Sequence, residues 1–195
     1  MKKIDSRIRR TYANLTKALY ALLQENNFEN LTVSQICEEA GVHRATFYKH
    51  FVDKYAFLRF YFEYKLENIY TDKIVTINDS DDVLKARCMA LMENMLIFVD
   101  DNLAVFAACI DNKASIAFTT TVVDVFSNFI AEKISAYCEV KDYKVDMVAN
   151  YYAAAVVGLY SWWFNNTEVC SKEELRGFYE IKVNEMCSYF KTYIF

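Results

Sequence analysis

The chain predicts an all-α fold, and three observations carry that prediction. Its 195 residues include no proline and only three glycines, so the strongest breakers of regular structure are nearly absent and tight hairpin turns have few residues to build them. Apolar side chains recur three or four residues apart along most of the chain, the period of a helix with a buried face. A composition of 54% hydrophobic and 16% aromatic residues supplies a large core and excludes a disordered chain. The architecture expected is a three-helix head followed by a larger helical body, about nine helices in all.

From Ser6 to Glu25 the residues Ile8, Tyr12, Leu15, Leu19 and Leu22 keep helical spacing, so the first helix lays an apolar stripe on the two short helices after it. Arg7, Arg9 and Arg10 stand at its beginning, either as a basic arm for phosphates or as a solubilising terminus. The two short helices meet at a glycine between Leu31 and Phe51. Ser34 is placed to cap the first, Ile36 and Ala40 recur four apart on its inner face, and Gly41 supplies a left-handed turn residue without steric cost. In the second, Phe47 and Phe51 form the inner pair, which turns Thr46, Tyr48 and Lys49, with Ala45 between them, outward or to the flanks. This is a helix-turn-helix pattern, and its polar outer face suits a groove of double-stranded DNA.

Asp53 and Lys54 open a long fourth helix running toward Ile77 through Phe57, Leu58, Tyr61, Phe62 and Leu66. The polar cluster from Asn78 to Asp82 interrupts it, which divides the chain into a head of residues 1–53, a connecting helix 54–78 and a body 79–195. Within the body, helices are expected over Val83–Val99, Leu103–Ile110, Ser115–Glu139, Asp142–Asn166 and Ser171–Tyr193. Ser171 and Glu174 have the Ser-x-x-Glu spacing of a capping box.

Charge is divided along the chain. Residues 1–65 carry eleven Lys or Arg against seven Asp or Glu, whereas the remainder carries eleven against nineteen, within a net charge of −4. A basic end is what phosphate attraction requires, and an acidic remainder limits indiscriminate adhesion to nucleic acid. The six cysteines are scattered with no Cys-x-x-Cys pair, which fits reduced core thiols and leaves a redox-sensing thiol as the other reading. Both histidines, His43 and His50, fall in the helix-turn-helix, so the body has no histidine for acid-base chemistry or metal ligation, and no cofactor is expected. Enzymatic chemistry would have to use carboxylates alone. The amino terminus lacks an apolar run for secretion, and the longest apolar stretch, Tyr151 to Phe164, falls short of a bilayer span, so no membrane partner and a cytoplasmic location are expected.

The residues Leu31-Thr32-Val33-Ser34-Gln35-Ile36, Ala40-Gly41-Val42 and Thr46-Phe47-Tyr48-Lys49-His50-Phe51, with Lys54 after them, resemble the DNA-binding head of the TetR (tetracycline-repressor-like) family of bacterial regulators over about residues 6–65. The Trp-rich segment Gly158 to Phe164 is similar to a penultimate helix in one subgroup. The resemblance implies a three-helix head, a ligand-sensing body, a two-fold homodimer, occupancy of palindromic operators, usually as a repressor, and release by a small-molecule effector. Two positions depart from the family pattern: His43 stands where a small hydroxyl residue is frequent, and Cys37 where alanine is usual.

Arg44 and Thr46, near the amino end of the recognition helix, are the candidates for base contact, with a phosphate contact as the other role for Arg44. Lys49 reaches either a base or the backbone. Tyr48, His50 and Lys54 resemble the family's phosphate-gripping positions, and each carries a suitable donor; Thr32 and Ser34 add hydroxyls at a helix amino end. Ring packing for Tyr48, a core role for His50 and a cap for Ser34 are the structural alternatives.

In the body, the last two helices are apolar on more than one side, and Tyr151, Ala155, Leu159, Trp162, Phe178, Ile181 and Tyr189 are candidates for a dimer interface. Met89, Met92, Met95, Phe126 and Tyr152 are candidates to line an apolar ligand cavity, with an ordinary core as the alternative. Activation, or regulation through a protein partner, would use the same fold.

Overall fold

A computed structural model describes residues 6–70, 81–110, 116–138 and 143–194. Among the described residues the chain forms nine helices and no strand: α1 (Ser6–Leu22), α2 (Val33–Ala40), α3 (Arg44–Tyr48), α4 (Lys54–Tyr70), α5 (Asp81–Asp101), α6 (Leu103–Ile110), α7 (Ile116–Cys138), α8 (Tyr143–Phe164) and α9 (Lys172–Ile194), with a 3-10 turn at Phe28–Asn30. The expected order of elements is the observed one, and α6 coincides with the expected span. The stretch from 71 to 77, read as a continuation of the fourth helix, and most of the polar cluster after it lie outside the described residues.

Packing separates two units. One holds the chain up to Tyr64 together with Asn102–Phe118; the other holds Lys65–Asp101 and the chain from Thr119 onward. In the first unit the α1 stripe packs on α2, with Leu15 and Leu19 fully buried against a core that includes Phe28, Ile36, Phe47 and Phe57. The unit also takes in α6, which lies against the 3-10 turn, and Phe62 of α4 packs on Phe106 and Phe118 at ring separations of 5.4 and 5.9 Å. This grouping joins segments far apart in sequence. Tyr61, with no exposed surface, donates its hydroxyl to the Asn102 Oδ1 atom at 2.8 Å, and burial pushes the phenol far above its usual range. A buried hydroxyl without that acceptor would carry a desolvation cost.

The second unit is built on α5, α7, α8 and α9. Phe98 of α5 meets Phe126 of α7 edge to face at 5.7 Å, and Met95 is fully buried. Helix α8 shows two faces: Val145, Ala149, Ala153, Val156 and Tyr160 are buried, while Met147, Tyr151 and Trp162 are exposed. The Ser171 capping box forms as its spacing predicts, with the Glu174 carboxylate accepting from the Ser171 N–H at 2.8 Å and the Glu174 N–H donating to Ser171 Oγ at 3.2 Å. Those bonds hold the Glu174 carboxyl below the usual carboxylate range. Asp100 of α5 gathers the Tyr160 hydroxyl and the Lys172 ammonium at 3.3 and 3.1 Å, tying α5 to both terminal helices.

Candidate nucleic-acid interface

The hydrogen bonds at the start of α2 place the cap at Thr32 and correct the expectation for Ser34. Thr32 Oγ1 accepts from the Gln35 N–H at 3.3 Å, and Gln35 Oε1 accepts from the Thr32 N–H at 2.9 Å and from its hydroxyl at 2.8 Å. This reciprocal capping box needs a partner three residues on, which Thr32 has in Gln35. Ser34 is one turn-start too late, and its exposed hydroxyl makes no hydrogen bond among the described residues.

Helix α2 ends where Gly41 adopts φ 63° and ψ 35°. The Val42 N–H then donates to the Cys37 carbonyl at 2.9 Å and the Gly41 N–H to that of Glu38 at 3.1 Å, a Schellman corner. That corner aims α3. Its first carbonyl, from His43, accepts from the Thr46 and Phe47 N–H groups at 2.8 and 3.1 Å. His43 caps with backbone only and leaves its imidazole exposed.

One face of α3 is anchored. Phe47 is fully buried and its ring packs on Phe51 at 5.3 Å and on Phe57 at 5.4 Å. The rest of this segment is open: Arg44, Ala45, Tyr48 and, just past the helix end, Lys49 are exposed and Thr46 is half-buried. Tyr48 keeps 49% of its surface while resting its edge on Phe47 at 5.5 Å, so ring packing and an accessible hydroxyl coexist. Arg44, Tyr48 and Lys49 thus stand open around a buried aromatic floor.

Two expected contacts have partners within the fold. Half-buried His50 lies with Nδ1 3.3 Å from the Tyr12 hydroxyl, the rings meeting edge to face at 5.2 Å. Lys54 points its ammonium at three carbonyl oxygens around the 3-10 turn: Phe28 at 3.1 Å, Glu29 at 2.7 Å and Leu31 at 3.1 Å. All three of its donors are accounted for there, and the charge also lies over the Phe28 ring at 5.0 Å. Lys54 therefore fastens the turn before α2 to the start of α4, a role its sequence context did not disclose. Tyr55 adds to this clasp by donating to Glu29 Oε2 at 2.8 Å, and that bond raises the phenol's pKa.

On the second unit, Tyr151, Trp162, Phe178 and Ile181 are each at least half exposed; Ala155 is exposed and Leu159 half-buried. Trp163 is instead committed internally, donating to the Cys170 carbonyl at 3.0 Å. The side chains of Tyr189, Met89 and Met92 lie outside the described residues, Met95 and Phe126 are fully buried, and Tyr152 is half-buried. No helix among the described residues is long and apolar enough to cross a membrane, and none of their His, Cys, Asp and Glu side chains forms a group that could hold a metal ion.

Comparison with known proteins bears on this geometry. Residues 15–59 match the family described as bacterial regulatory proteins, tetR family, and residues 87–178 match a transcriptional regulator C-terminal region. No curated protein matches the chain. Among solved structures, the dihydroxyacetone kinase operon activator DhaS is similar with a TM-score of 0.60 at 20% identity, over 95% of this chain and 98% of that one. Lin0861 from Listeria innocua has a TM-score of 0.65 at 18% identity, over 97% and 96% of the two chains. A putative TetR-family transcriptional regulator from Syntrophomonas wolfei gives 0.59 at 16%, over 93% and 95%.

Proposed function

Since the chain belongs to the TetR family of transcriptional regulators and is not an enzyme, we propose that it binds a palindromic DNA operator in the cytoplasm as a homodimer and leaves it when a small molecule enters the body. The observation that carries this reading is α3, whose inner side is locked by a fully buried Phe47 while Arg44, Ala45, Tyr48 and Lys49 face solvent. A helix presented this way enters a major groove with its amino end leading, where Arg44 can offer two donors to one guanine. Thr46 stands beside Arg44 for a second base contact, while Tyr48, His50 and the hydroxyls of Ser34 and Thr32 would set the register on the phosphates. Lys54 contributes by holding the turn in place.

Homodimerisation is supported by the apolar side chains that α8 and α9 leave uncovered. Helices α8 and α9 pack on each other, so the exposed Tyr151 and Trp162 of one and Phe178 and Ile181 of the other are carried on adjoining helices. A two-fold axis covers such a surface with its own copy and spaces two recognition helices for successive turns of the duplex. The effector site is proposed among α5, α7 and α8, near Met95, Phe126 and Tyr152, for an apolar or aromatic ligand. Repression is the effect taken for occupancy; the solved neighbour DhaS, an operon activator, supplies the second reading. Transcription of the bound genes with and without the regulator decides between them: a rise on its removal means repression, a fall means activation.

A further inference from the structure

We propose that Arg9 and Arg10, on the first turns of α1, are phosphate contacts that extend the grip on DNA beyond the helix-turn-helix, an inference that rests on the DNA-binding reading above. Placement is the first argument. Tyr12 comes three residues after Arg9, less than one helical turn, and its hydroxyl and ring both meet His50, which lies just past the end of α3. The basic start of α1 is therefore tethered beside the recognition helix.

Local conflict is the second argument. The amino end of a helix carries partial positive charge and favours anions, yet among the described residues α1 has no acidic residue in its first turn and places Arg7, Arg9 and Arg10 within its first five positions. Cations held against the helix dipole are locally unfavourable, and such departures from local consistency concentrate at functional sites. The third argument is availability. Arg9 and Arg10 are exposed, and neither forms an ion pair among the described residues, although the chain has 26 acidic side chains. A duplex supplies the missing negative charge, read as phosphate without regard to sequence.

The test uses the full chain and a 30-base-pair duplex of arbitrary sequence, with affinity followed by fluorescence anisotropy from about 50 to 200 mM NaCl. The variant Arg9→Gln/Arg10→Gln is expected to flatten the slope of log affinity against log salt by about 1.8 per protomer bound, roughly 0.9 for each arginine, which is about a 12-fold smaller loss of affinity across that range. Arg9→Lys/Arg10→Lys restores the slope, and the glutamine variant melts at the same or a higher temperature because it relieves the helix end. A slope equal to wild type, or a lower melting temperature, overturns the proposal while leaving the DNA-binding reading intact. A wild-type chain with no salt-dependent binding overturns both.

Discussion

The ammonium of Lys54 lies 2.7 Å from the carbonyl oxygen of Glu29, twenty-five residues earlier, and reaches the Phe28 and Leu31 carbonyls with its other donors. One cation thus holds three backbone acceptors. The arrangement converts a position that looks like a DNA contact into a fastener between the 3-10 turn and α4. Lys54→Met removes charge-assisted bonds worth about 1.5 to 3 kcal/mol in related settings, so urea unfolding of the variant shows a loss of that order. Its binding to DNA falls no further than the lost stability accounts for. A variant with wild-type stability and a flatter salt slope would return Lys54 to the phosphates.

Gly41 sits at φ 63°, and an added Cβ there meets nothing within 4 Å. The cost of replacing it is therefore conformational alone. Gly41→Ala destabilises the fold by about 1 to 2 kcal/mol, and Gly41→Asn by less, because asparagine tolerates the left-handed region better. Equal stability of Gly41→Ala and wild type in thermal unfolding would remove the argument for this corner.

Phe47 and Tyr48 are neighbours on α3 with opposite duties. Phe47→Ala opens a cavity in the aromatic floor and costs about 3 to 5 kcal/mol of stability. Tyr48→Ala gives up only the edge contact with Phe47, about 0.5 to 1.5 kcal/mol of stability, but weakens operator binding by about 1.5 to 3 kcal/mol through the lost phosphate contact of its hydroxyl. Arg44→Ala loses, in addition, about 1 to 3 kcal/mol of preference for the cognate sequence over a changed base. Gel-shift titrations on matched and mismatched duplexes separate the three.

The surface of Tyr151, Trp162, Phe178 and Ile181 carries the dimer prediction. Ile181→Glu places a charge where the partner would cover it, so sedimentation shows monomers at concentrations where wild type is dimeric. Its helix content by circular dichroism stays that of wild type. Wild type sedimenting as a monomer at the same concentrations would refute the pairing.

Much of the fold was legible because local signals agreed. The Phe47 and Phe51 pair, the Gly41 turn and the Ser171 to Glu174 box each need only residues within a few positions of one another, and each forms. The Thr32 cap was also present in the sequence, as a threonine with glutamine three residues on, whereas Ser34 has only Cys37 at that spacing. What sequence could not disclose are pairings across distance: Lys54 with carbonyls 23 to 26 residues away, His50 with Tyr12 across 38, and α6 with the 3-10 turn. A buried Met95 or Phe126 reads the same in sequence whether it fills a core or faces a ligand, which is why the effector site stayed a matter of composition.

Sequencing the genomic fragments retained by the purified chain, beside those retained by Arg44→Ala, tests the central claim most directly. The account predicts a small set of sites sharing a two-fold symmetric motif, lost or relaxed at one base pair per half-site in the variant. Retention of fragments without a common motif, or the same set for both proteins, would contradict a DNA-reading role for α3.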